Sequence, residues 1–347
     1  MRVGFALAAL AGVVLAALLI VHEGVDAVFR TLAPLGWLMA PVAAFHLVPQ
    51  LLSAAAWRRA VAPSDRRAFA TFLTLRAVRE GINNLLPVAQ VGGDLVGARL
   101  LAACGVPLAA AAASVVVDFT VELFTLGAFI LIGLALLALG DHGASADIGA
   151  LVGTACATVA AILGFAAAQR AGLLSVVDRL LDRLARKSAR FQFHDVRGLE
   201  GAVRARYRNR VAVTEAAALH LASWLAGTGE IWLALRFMGT PIGLGDALVL
   251  ESLTHAVRGA AFVVPGALGV QEAGLVVLGA LIGIDAQTAL ALSLVKRARE
   301  IAFGAPAILA WQAIEARQLW RGRSRPVRAA AEVLPTLDGT VPPTRRP

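Results

Sequence analysis

Residues 79–94 read REGINNLLPVAQVGGD, and residues 257–272, 178 positions further on, read VRGAAFVVPGALGVQE. Each stretch breaks an apolar run with a proline, follows it with small residues and ends on an acid. In the first these are Pro87, Gly92, Gly93 and Asp94; in the second they are Pro265, Gly266, Gly269 and Glu272. The same shift lays Gly105 on Gly283 and Glu122 on Glu300, with nine identities in 43 positions between 85–127 and 263–305. Four of the nine are alanine, so the weight rests on the proline, glycine and acidic matches. Proline and glycine at matching places in two apolar segments mark paired broken helices.

The surrounding chain is membrane-like. Of 347 residues, 59% are apolar and 16% charged, with a mean hydropathy of +0.75. Soluble domains carry roughly 25% charge. Low hydrophobicity marks disorder, so disorder is excluded, and two cysteines exclude a disulfide scaffold or a four-cysteine zinc site. Runs near the roughly 20 residues needed to cross a bilayer predict spans at Val3–Val21, Pro34–Ala56, Pro107–Leu139, Ile148–Ala168, Val211–Arg236 and Ala286–Ile314. Residues 3–21 read as a retained helix, because no small-x-small cleavage site follows them. Trp37 and Trp57 read as interface anchors. The predicted fold is therefore an all-α polytopic membrane protein, with about six full spans and two Pro/Gly-broken hairpins.

Charge sets the topology. Segments 57–67, 169–210 and 317–347 hold 22 of the 32 basic residues, and connections 22–33, 140–147 and 237–246 hold only Arg30. The positive-inside rule then places both termini and the middle segment in the cytoplasm. The net charge of +9 is topological, and no nucleic-acid partner is expected. Leu173, Leu174, Val177, Leu180, Leu181 and Leu184 fall at helical spacing, predicting an amphipathic surface helix.

Repeat and topology together predict inverted halves. The divisions are 1–33 (first span and outer loop), 34–139 (repeat A), 140–210 (a span plus the basic segment), 211–316 (repeat B) and 317–347 (a basic disordered tail). Inverted repeats with broken helices near the midplane are secondary-transporter architecture, and the two hairpin tips are expected to meet in a polar cavity.

Each intramembrane charge costs about 2.5–3.5 kcal/mol at the bilayer centre, so the remaining charges should face inward and pair. Arg79, Glu80, Asn83, Asn84, Asp94, Arg258, Glu272, Lys296 and Arg297 are the candidate substrate-binding residues. Pro87, Gly92, Gly93, Asp118, Glu122, Pro265, Gly266, Gly269 and Glu300 are the candidate structural or gating ones. Asp118 and Lys296 occupy equivalent positions of opposite sign, which predicts that Asp118 pairs with Lys296 or Arg297. The glycine turns offer free N–H groups for a phosphate or carboxylate, or close helix packing. No metal-binding, redox or nucleotide motif occurs, and no cofactor or metal is expected. Ser252 and Ser293 near Arg258 and Arg297 keep a phosphate-handling enzyme as the alternative, but no nucleophile has a base beside it.

The run Glu80 to Pro87, continuing to Gly92-Gly93-Asp94, and the run Val264 to Glu272 resemble the two signatures of the lysylphosphatidylglycerol synthase transmembrane (flippase-like) family, with Ala267 where glycine is more usual. The first most resembles the hopanoid-biosynthesis-associated, HpnL-type subgroup. The resemblance implies a bacterial inner-membrane, non-enzymatic lipid transporter. It implies a hopanoid or phospholipid as cargo; lipid-biosynthesis enzymes, docked on the basic 169–210 segment and the Arg-rich tail, and a second copy of the chain are further candidate partners. A membrane scaffold for such enzymes is the remaining alternative. The synthase catalytic domain of the longer relatives is expected to be absent.

Overall fold

The computed structural model describes residues 30, 36–86, 92–140, 148–170, 198–262 and 264–323. The 3–21 span, Pro87, the 173–187 amphipathic stretch, the 140–147 acidic connection (apart from Gly140) and the tail beyond Arg323 lie outside the described residues. Among the described residues every regular element is helical. Three stretches, Gly36–Ala60, Leu108–Leu139 and Gly149–Gln169, are long and apolar enough to cross a membrane.

The first of these is two helices, α1 Met39–Phe45 and α2 Leu47–Ala60, parted at His46. Pro49 explains the interruption, because it has no N–H to give the Phe45 carbonyl four residues back. A hairpin follows, formed by α3 Phe69–Leu85 and α4 Gly92–Ala103. At 1.5 Å per residue these helices are about 25 and 18 Å long, short of the roughly 30 Å hydrocarbon core. Their outer ends meet: Arg67, just before α3, donates to the carbonyls of Cys104 (2.8 Å) and Gly105 (2.6 Å), just after α4. The long apolar α5 Leu108–Leu139 and α6 Ile148–Arg170 come next.

Beyond the middle segment lie α7 Leu199–Arg208, α8 Arg210–Phe237 and a second hairpin, α9 Leu244–Ala260 with α10 Val270–Leu281. Then α11 Ala286–Arg323 begins. The first compact unit ends at Ile308, and Leu309–Pro347 forms a second unit. Helices α4 and α10 start 178 residues apart and are both 12 residues long, and α5 and α11 also start 178 apart. Gly269 precedes α10 with φ +74°, and Gly266 sits at φ +60° in the turn between α9 and α10, a region that favours glycine.

Asp285 caps α11. Its carboxylate accepts from the Thr288 N–H (2.9 Å) and the Thr288 hydroxyl (2.7 Å). Partial burial pushes this carboxyl up, but the Thr288 donors outweigh burial and hold it below its ordinary value. The cap therefore contributes stability above the unfolded-state value, and loses it as pH falls through the folded one. Asp285→Ala should lower the stability of the detergent-solubilised protein by about 1 kcal/mol, read as a lower melting midpoint at neutral pH. The difference should narrow on acidification.

One anchor reading is corrected. Trp37 is 94% exposed, as an interface residue would be, but Trp57 is 0% exposed. Its indole donates to Ser114 (3.2 Å), meets Phe72 edge-on (5.4 Å) and lies 4.5 Å beneath the Arg79 guanidinium. The reason is local: Arg79 brings a buried cation to this point, and the indole face attracts it.

Candidate functional site

A cavity of about 280 Å³ lies among α2, α3, α4, α5, α8, α9 and α11. Clefts for small ligands run from about 300 to 1,000 Å³, so this one lies at the small end of that range. Phe119, Leu123, Leu126 and Trp224 give it an apolar wall, and most of its other lining residues are polar or charged, held in three networks.

The first network grows from α3. Arg79 donates to Asp94 on α4 (Nη2 2.5 Å, Nε 3.0 Å) and to Asp118 on α5 (2.7 Å). One helical turn earlier, Arg76 grips both oxygens of Glu122 (2.9 and 2.5 Å) in a bidentate fork. Asp118 also takes His220 Nε2 from α8 at 2.9 Å. Asn83 joins the hairpin tip: its amide donates to Asp94 (3.2 Å) and its carbonyl oxygen accepts from the Gly93 N–H (2.7 Å).

The second network lies around the break at His46. Its Nε2 is 3.3 Å from Glu80 on α3, and its Nδ1 is 3.1 Å from Glu230 on α8. Arg299 on α11 reaches the same Nδ1 (2.6 Å) and the same Glu230 oxygen (3.1 Å), and Gln50 donates to Glu80.

The third network belongs to α9, α10 and α11. Lys296 donates to Glu251 (2.6 Å), which also faces His255 (3.2 Å). Arg258 donates to Glu300 (2.6 Å), to Gln271 and, across to the first hairpin, to Asn84 (3.2 Å). Arg297 bridges Glu272 (3.0 Å) and Glu300 (2.9 Å).

The C-terminal end of α3 meets the turn between α9 and α10 here: a Cβ built on Gly266 would lie 2.8 Å from the Asn84 carbonyl oxygen. Of the residues predicted to bind substrate, Arg79, Glu80, Asn83, Asn84, Asp94, Arg258 and Lys296 line the cavity, while Glu272 and Arg297 stand outside its lining, linked to it through Glu300. Glu122 and Glu300 also line it, and Asp118 is buried beyond Arg79.

The predicted pair of Asp118 with Lys296 or Arg297 is corrected. Asp118 is held by Arg79 and His220, Lys296 by Glu251, and Arg297 by Glu272 and Glu300. Equivalence under a repeat does not bring two residues together when the hairpin of each one's own half offers a closer partner. At Gly93 close packing also prevails over a free anion-binding turn, because its N–H is already given to Asn83 and a Cβ would strike the Arg79 carbonyl oxygen at 2.1 Å.

The hydroxyls of Ser252 and Ser293 donate to the Val249 (3.1 Å) and Leu290 (2.7 Å) carbonyls of their own helices, and neither lines the cavity. Asp118, Glu122 and His220 stand close enough to suggest a metal. Both carboxylates, however, are already engaged, Glu122 by the Arg76 guanidinium and Asp118 by the Arg79 guanidinium and the His220 imidazole, so the cluster is a salt-bridge network. His46, His220 and Glu230 were missed in the sequence. Their signal was a polar residue deep in an otherwise apolar run, as Glu230 is within 216–235.

Apolar helices long enough to cross a membrane, packed around buried and mutually paired charges, define a multi-pass membrane protein with a polar cavity. The chain matches the family described as lysylphosphatidylglycerol synthase TM region over residues 3–307, and it belongs to that family. No curated protein and no solved structure matches it.

Proposed function

We propose that this protein is a lipid transporter of the bacterial inner membrane, with both termini cytoplasmic, and that it carries a hopanoid or related lipid. Two inverted halves, each with a re-entrant hairpin, rock against each other and expose the headgroup site alternately to the two faces. Membership in a lipid-related membrane family supports this reading, as do the joined ends of the first hairpin and the 178-residue spacing of helix starts. The observation that carries it is the cavity: charged side chains from both halves surround a space sized for a headgroup. The tails then stay in the bilayer. With Ser252 and Ser293 tied to their own helices, transport is preferred to catalysis.

The test is reconstitution into vesicles carrying a trace of fluorescent hopanoid or fluorescent phospholipid, with a membrane-impermeant quencher added outside. Label should become quenchable from both leaflets, fastest for the true cargo. Quenching confined to the outer leaflet with every lipid would remove the proposal.

A further inference from the structure

We propose that the cavity carries protons as a second cargo, one on His46 and one on His220, moved together with the lipid headgroup. This rests on the transport reading above.

The networks are unequally balanced. Around His220, the acids Asp94, Asp118 and Glu122 face the two bases Arg76 and Arg79. Around His46, Glu80 and Glu230 face Arg299, with Glu300 3.8 Å from that guanidinium but held by Arg258 and Arg297. Among the described residues, each of these two networks lacks one positive charge when its histidine is neutral. The third balances without its histidine: Glu251, Glu272 and Glu300 meet Arg258, Lys296 and Arg297. The two uncompensated charges therefore lie where His46 and His220 stand. An unpaired charge at membrane depth is expensive, and one proton on each histidine removes the deficit.

A proton fits where a metal ion does not. In the His220 network the carboxylates are already engaged by guanidinium groups, so a metal would have to displace one. His46 Nδ1 faces a partner for either state: neutral, it accepts from Arg299, and protonated, it donates to Glu230 while the Arg299 guanidinium, 2.6 Å away, must withdraw. His220 is fully buried, with Nε2 on Asp118 and Nδ1 without a hydrogen-bond partner among the described residues.

Both histidines also join the halves. His46 on α2 reaches α8 and α11, and His220 on α8 reaches α5. Protonation adds an ion pair to the His46–Glu230 and His220–Asp118 contacts and sets His46 against the Arg299 guanidinium, so each protonation state favours a different set of contacts between the halves. Rocking that opens these links to one face and then the other exchanges their protons with opposite compartments.

The test uses the intact protein in vesicles of bacterial polar lipid with NBD-labelled phosphatidylethanolamine. A pH-sensitive dye fills the lumen, and potassium with valinomycin clamps the membrane potential. A pH step of one unit should shift the leaflet ratio of the label by about tenfold per coupled proton, hence about 100-fold for two. The lumenal dye should report proton movement in step with the lipid. His46→Gln or His220→Gln should each reduce the shift to about tenfold, whereas His255→Gln, whatever its rate, should retain it. Lipid movement that ignores the gradient, with a silent dye, overturns proton carriage and leaves transport standing. Movement of neither lipid nor protons, with this label and with a fluorescent hopanoid in its place, overturns both.

Discussion

Arg79→Met should be among the most damaging single substitutions in the protein. Arg79 is 2% exposed and is the partner of two carboxylates, Asp94 at 2.5 Å and Asp118 at 2.7 Å. Methionine fills much of the same volume but leaves both acids without their principal cation. Breaking a buried ion pair from one side costs about 3–5 kcal/mol, because the surviving charge stays buried. Tryptophan fluorescence, to which Trp57 at 4.5 Å from the guanidinium contributes with five others, follows thermal unfolding in detergent and should report an earlier transition. Adding Asp118→Asn should recover part of the loss, since one orphaned charge is then removed. Arg79→Lys keeps the charge but cannot reach both carboxylates as a fork does, so it should fall between native and Met.

Gly93→Ala should be nearly as severe, and for a steric reason. The added Cβ would sit 2.1 Å from the Arg79 carbonyl oxygen and 2.8 Å from Asn83 Oδ1. The first contact is with backbone, so relief requires α3 and α4 to separate. Separation also stretches the Gly93 N–H bond to Asn83 and the Arg79–Asp94 pair that close the tip. The cost should lie near or above the upper end of the roughly 1–3 kcal/mol seen for overpacking. Gly153→Ala is the contrast: nothing lies within 4 Å of its Cβ, and alanine in a helix is favoured over glycine by roughly 0.5–1 kcal/mol. Melting midpoints should fall for the first variant and hold or rise for the second.

Much of the architecture was legible in the sequence because it depends on local rules. Apolar runs located α2, α5, α6, α8 and the start of α11, and the broken segments resolved into α3 with α4 and α9 with α10. That buried charges would pair was also legible, because the alternative is costly in hydrocarbon. Which charges pair was not. Asp118 and Lys296 looked complementary along the chain, yet their partners come from α3, α8 and α9, at distances in sequence that no spacing rule encodes. Trp57 was misread for a related reason: its position at the end of a span is an anchor's position, but Arg79 and Ser114 face it from other helices. The His46 network was invisible because it draws single residues from α3, α8 and α11 to a helix break.

The most direct test of rocking is to fasten the halves together. Ser53 on α2 and Ser223 on α8 touch through their hydroxyls at 2.9 Å, and cysteines at both positions would place two sulfurs side by side. The native Cys104 and Cys156 are both exposed and would be replaced by serine first. In vesicles, the oxidised Ser53→Cys, Ser223→Cys protein should stop moving labelled lipid between leaflets, and reductant should restore movement. Equal lipid movement with the bridge closed and open would contradict transport by rocking halves.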